Sequence, residues 1–165
     1  VKALMGLLAH FLKEKTPSLI ENNIRLQVIG QIDKLPKSNQ KSLQKSIEAT
    51  DGNNGLTLVV ALSYGSREEI LEATRSLMEK AQSREMDPAE LNVESFAAHL
   101  NTADFPDPDL LSRTSGEYRI SNFLRWQISY AEIFITKTFW PDFRRQNLLD
   151  AVGEYQQRQR RFGGV

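Results

Sequence analysis

The chain has 165 residues, enough for one domain with a hydrophobic core. Its 21 basic (Lys+Arg) and 21 acidic (Asp+Glu) residues balance, so no global field draws it to nucleic acid or to an anionic membrane. It has no cysteine, which excludes a disulfide scaffold, a thiolate metal site and a cysteine nucleophile, and no apolar run reaches the ~20 residues of a membrane span. No signal-peptide pattern is read at the start, and a soluble cytoplasmic protein is expected.

Helical periodicity covers about Val1 to Glu14, with Pro17 and the Glu-Asn-Asn at 21–23 expected to end it. Val1 is not an initiator methionine, and this helix reads as entered midway without an N-cap. A chain truncated at its N-terminus is therefore expected. Ile24 to Gly30 is a short β-branched run closed by glycine, a strand. Ser38 to Thr50 is a polar amphipathic helix with Ser38 as its cap, and "DGNNG" after it is a turn. Leu56 to Gly65 is nearly continuous apolar, as a strand covered on both faces should be. Ser66 to Gln82 reads as a helix capped by Ser66, with Glu69 in the capping-box position. Asn92 to Leu100 is a shorter helix and Asp109 to Thr114 a strand. Ser121 to Ala131 is expected to be helical, Glu132 to Thr138 a strand, and Arg144 to Phe162 a closing helix. Strands alternating with helices predict an α/β fold, a parallel sheet with helices on both faces, in a single domain over residues 1–165.

In such sheets ligands bind at the C-terminal ends of strands. Arg113 falls at a strand end, and Arg119 in the loop beyond it. Between them "TSGEY" supplies small residues, and Gly116 lets backbone approach a ligand. Ser121 is read as the N-cap of the next helix, where free N–H groups and the helix dipole favour an anion. Two guanidinium forks, a hydroxyl and a helix terminus suit a diphosphate. Taken singly, each arginine could instead pair with Asp107 or Asp109, and Ser121 could be an ordinary cap. Glu132 opens the next strand. Alone it reads as a surface acid, but one carboxylate plus substrate phosphates is a usual way to hold Mg²⁺. His10 and His99, far apart on apolar helical patterns, read as core or boundary residues. Trp126, Trp140 and Phe143 read as core. The "RQRRFGG" from Arg158 reads as a solvated basic tail whose glycines could fold arginines over an anion.

The stretch "DLLSRTSGEYRISNFLRWQISYAEIFITKTFWPDF" (109–143) resembles the C-terminal signature of the cis-prenyltransferases, the undecaprenyl diphosphate synthase family. "RLQVIG", "GLTLVVALSYGSREEI" and the terminal "RRFGG" fall in that family's order and spacing. The resemblance implies elongation of an allylic diphosphate, typically farnesyl diphosphate, with isopentenyl diphosphate, to make a polyprenyl diphosphate with cis double bonds. It implies that Arg113, Arg119 and Ser121 bind isopentenyl diphosphate and that Glu132 is a Mg²⁺ position. It implies that Arg161 and Gly163, in an Arg-x-Gly motif, reach the isopentenyl site of a partner subunit in a homodimer. It also suggests that Val1 to Leu12 and Leu56 to Leu62 line an apolar tunnel, and that product release could bring peripheral membrane contact.

There are departures. Tyr118 stands where some members carry His, and Ser63 and Ser66 replace residues often seen as Asn and Gly. The family's Asp-Gly-Asn-Gly-Arg-Trp loop, which handles Mg²⁺ and the allylic diphosphate, is not in these residues; the "DGNNG" at Asp51 is only superficially similar. Four of the family's six strands are thus expected, with the isopentenyl half of the site, and the isolated chain is expected to be inactive. The alternative is a non-catalytic regulatory or binding subunit of the same fold. An unrelated phosphate ligand on a doubly wound domain is the blandest reading.

Overall fold

The computed structural model describes residues 2–158, so Arg161 and Gly163 lie outside the described residues. The fold is α/β, with parallel strands flanked by helices. The chain divides into two units, Val1–Glu69 and Ile70–Val165.

The first unit holds helix α1 (Lys2–Glu21), strand β1 (Arg25–Ile29), helix α2 (Lys37–Thr50) and strand β2 (Thr57–Ala61). β1 and β2 run parallel, Arg25 opposite Thr57 and Ile29 opposite Ala61. Leu12 and Leu19 of α1, Leu26 of β1, Leu35 just before α2 and Leu43 within it form the buried cluster. Polar groups under this cluster are paired, as burial requires. Leu26 N–H donates to Thr50 Oγ1 at 3.1 Å, and Asn39 Nδ2 donates to the Met5 carbonyl at 2.7 Å. These two bonds tie α2 to β1 and to α1.

Three expectations fail here. Pro17 does not end the first helix; α1 continues to Glu21 with the proline inside it. The ring removes one N–H, but packing of Leu12 and Leu19 on either side holds the helix together. Ser38 is not a cap: α2 begins at Lys37 behind Pro36, and Pro36's carbonyl accepts from Asn39 N and Gln40 N. β2 is not covered on both faces either, for none of its residues is fully buried.

Helix α3 (Ser66–Gln82) follows at the predicted boundaries. Its first turn closes by Glu69 N–H to the Gly65 carbonyl at 2.9 Å, so Ser66 is the first helical residue and Gly65 holds the capping position. Tyr64 Oη donates to the buried Glu69 carboxylate at 2.5 Å.

The second unit contains the short helix α4 (Val93–Ala97), strands β3 (Leu110–Arg113) and β4 (Glu132–Ile135), and helix α5 (Arg145–Gln157). Asn92 and Ser95 form the capping box that starts α4. β3 and β4 are parallel, with Leu110 opposite Glu132 and Arg113 opposite Ile135.

The expected helix over Ser121–Ala131 is not formed. Ser121, Asn122 and Leu124 have φ of +55°, +60° and +44°, the left-handed region that a right-handed helix cannot contain. The segment is a chain of turns, with one helix-like bond from Ile128 N–H to the Leu124 carbonyl at 3.0 Å. Gln127 and Ile128 point inward, so burial of these two side chains overrides local helical preference. Trp126 is half-buried and packs on Phe96 with ring centroids 4.6 Å apart, but Trp140 is 72% exposed and is not core. His10 is also exposed, 3.3 Å from Glu14 on α1, whereas His99 is half-buried with Nδ1 2.9 Å from the Ser95 carbonyl.

Candidate functional site

Arg113 is the last residue of β3, and the chain must turn there. Ser115 and Gly116 both adopt left-handed φ, +66° and +64°. Ser115 N–H bonds the Thr138 carbonyl at 2.9 Å and Gly116 N–H bonds the Thr136 carbonyl at 2.8 Å. The turn is thereby clipped to the chain leaving β4, and the following residues fold back over the strand end.

The return brings Ser121 to Arg113, whose Nη2 donates to Ser121 Oγ at 3.3 Å. Arg113 Nε is buried without a hydrogen-bond partner among the described residues. Among the described residues Arg113 forms no ion pair with Asp107. Arg119 is ion-paired with Glu117 and its side chain is 69% exposed. A cavity of about 300 Å³ lies at this strand end, and Arg113, Glu117, Arg119 and Ser121 all line it. Its apolar side is made by Leu111, Ile120, Phe123, Ile133 and Ile135. The structure therefore gathers the three predicted anion residues around one hollow. It does so by a left-handed turn, without the helix terminus and its dipole that the sequence suggested.

Glu132 is elsewhere. It pairs with Leu110 at the opposite end of the ladder from Arg113, about 10 Å along the strand. It does not line the cavity. Arg158 Nη1 donates to its carboxylate at 2.7 Å, and Arg158 also pairs with Glu154. These two carboxylates raise the Arg158 pKa, the Glu132 hydrogen bond most, so the guanidinium stays charged at any working pH. Among the described residues no three His, Cys, Asp or Glu side chains converge as a metal site. A lone carboxylate already compensated by an arginine does not fit Mg²⁺ on its own.

Residues 1–163 match the undecaprenyl diphosphate synthase family of prenyltransferases. The chain belongs to that family. It is 49% identical to an isoprenyl transferase of Porphyromonas gingivalis over 99% of this chain and 64% of that protein. It is 46% identical to an isoprenyl transferase of Bacillus cereus over 100% of this chain and 64% of that protein. The chain thus spans just under two thirds of the length of these curated relatives. Among solved structures it resembles lavandulyl diphosphate synthase from Lavandula x intermedia in complex with dimethylallyl diphosphate, with a TM-score of 0.95 and 34% identity over 98% of this chain and 70% of that one. It also resembles a probable undecaprenyl diphosphate synthase from Campylobacter jejuni, with a TM-score of 0.86 and 31% identity over 99% of this chain and 74% of that one.

In this member of the prenyltransferase family, sequence reasoning missed two features of the hollow. Glu117 faces it and neutralises Arg119. An acid two residues from an arginine in a polar loop was the only signal available. The apolar wall from β4 was also missed: Ile133 and Ile135 alternate along the strand, and that period of two was legible. Leu4, Leu7 and Phe11 form an exposed stripe on α1, while Leu8 and Leu12 of the same helix belong to the first unit's core. No helix among the described residues is long and apolar enough to cross a membrane.

Proposed function

We propose that the hollow at the end of β3 holds the diphosphate of isopentenyl diphosphate, and that the full-length protein condenses it with an allylic diphosphate of farnesyl type to extend a polyprenyl chain with cis double bonds. The observation that supports this best is one cavity lined by both guanidinium groups and the Ser121 hydroxyl together with five apolar side chains. A diphosphate needs the first set and a five-carbon alkenyl group the second. Arg113 and Arg119 would grip phosphate oxygens as two-pronged donors, and Ser121 would donate a third hydrogen bond. An anion entering here takes Arg119 from Glu117. Fixing the diphosphate at a strand end holds the alkene in place, which supplies proximity to the allylic carbon.

The lavandulyl diphosphate synthase structure holds dimethylallyl diphosphate, an allylic diphosphate, which is in keeping with this substrate class. The exposed stripe of α1 is the part of the first unit that this reading assigns to the growing hydrocarbon. Mg²⁺, the homodimer, the partner-site role of Arg161 and Gly163, and membrane contact at product release enter only as the family resemblance implies them. No step here depends on them.

Isopentenyl incorporation by the full-length protein tests the reading. Arg119→Ala and Arg113→Ala should each lose most of it. Unchanged incorporation in Arg119→Ala would overturn the assignment. A full-length protein that binds isopentenyl diphosphate but never turns over, even with an allylic diphosphate and Mg²⁺, would favour the non-catalytic subunit instead.

A further inference from the structure

We infer that Lys137 is a third cation of this anion site, acting through its charge and not through a fitted contact; the inference rests on the diphosphate reading of the hollow. The charge balance of the loop motivates it. Arg113 and Arg119 bring two positive charges to the cavity, and Glu117 cancels one of them by pairing with Arg119. A multiply charged diphosphate then meets a loop with a single net positive charge.

Lys137 stands where it can restore the second. It lies between Thr136 and Thr138, whose carbonyls accept the two hydrogen bonds from Gly116 and Ser115. Its Cγ lies 3.8 Å from the point a β-carbon on Gly116 would occupy. The lysine stem therefore runs beside the turn that joins Arg113 to Arg119, over a position with no side chain. The two methylenes and the ammonium beyond Cγ keep the charge within about 8 Å of that turn, roughly one Debye length at physiological salt. Among the described residues Lys137 makes no hydrogen bond or ion pair that would tie its charge elsewhere. The bland alternative is a solvated lysine beyond a strand end, which would leave anion affinity unchanged.

Calorimetric titration of the full-length protein with isopentenyl diphosphate, without allylic substrate, separates the two. A purely electrostatic role predicts wild-type affinity for Lys137→Arg, about 3-fold weaker binding for Lys137→Met and about 10-fold for Lys137→Glu, all at low salt. These differences should shrink as salt is raised. Wild-type affinity in Lys137→Glu would overturn the inference, as would a Lys137→Arg variant as weak as Lys137→Met. Arg119→Ala, titrated alongside, keeps the two ideas apart. If it weakens binding while Lys137→Glu binds normally, only the Lys137 role falls. If it too binds like wild type, the diphosphate reading of the hollow falls.

Discussion

Arg113 and Ser121, eight residues apart, meet at 3.3 Å, with the arginine Nη2 donating to the serine Oγ. The contact is long for a charge-assisted bond, so the pair orients the guanidinium without saturating it. The same two groups can turn to a phosphate. Hydrogen bonds to charged groups are worth about 1.5–3 kcal/mol. Arg119→Ala should therefore weaken isopentenyl diphosphate binding about 10- to 100-fold in calorimetry. Ser121→Ala should cost less, about 1 kcal/mol. Arg119→Lys should recover only part of the loss, because an ammonium cannot make the two-pronged contact.

Two glycines should respond in opposite directions. Gly30 has φ +102°, and a β-carbon there would lie 2.3 Å from the Leu62 carbonyl oxygen. That neighbour is backbone of the segment after β2 and cannot step aside. Gly30→Ala should destabilise by at least about 2 kcal/mol in denaturant unfolding. Gly153 sits inside α5 with nothing within 4 Å of an added β-carbon. Gly153→Ala should stabilise by about 0.5–1 kcal/mol. Equal effects at both positions would contradict the backbone described here.

Thr50 is fully buried, and its Oγ1 accepts from Leu26 N–H while lying 2.9 Å from the Ser46 carbonyl. Valine has the same shape but no acceptor. Thr50→Val should leave a buried N–H unpaired and cost about 1–3 kcal/mol. Leu26→Ala, removing a side chain 1% exposed, should cost about 2–5 kcal/mol through the cavity it leaves. Both are read as shifts in the denaturant midpoint.

The Arg158 bridge to Glu132 and Glu154 should not weaken in mild alkali. A base whose pKa is raised on folding contributes stability that is complete below its unfolded value and lost only as pH rises through the folded one. For Arg158 the folded value lies above the ordinary arginine value, beyond any working pH. The difference in melting temperature between wild type and Arg158→Gln should therefore stay constant from neutral pH to about pH 10. A difference that vanishes in that interval would mean that a lysine-like group, and not this guanidinium, carries the effect.

Much of the fold was legible because its signals are local. The β-branched run before Gly30, the Ser66–Gln82 periodicity and the short helical stretch after Asn92 each sit within a few residues of the structure they dictate. The segment 121–131 was not, because its conformation answers to the burial of Gln127 and Ile128 against residues far away in sequence. Pro17 misled for the same reason: a packed helix tolerates a break that an isolated one would not.

By itself the sequence determined most element types, the parallel α/β class, the family, and the three residues suited to a diphosphate. Those rest on side-chain chemistry and short-range periodicity, which a linear string carries. Only the tertiary structure decided how the three come together. It placed Ser121 beside Arg113 by a left-handed turn clipped to the chain beyond β4, set Glu117 against Arg119, and put Glu132 at the far end of its strand against Arg158. Positive φ values and strand register arise from contacts between distant segments, and no window of the sequence contains both partners.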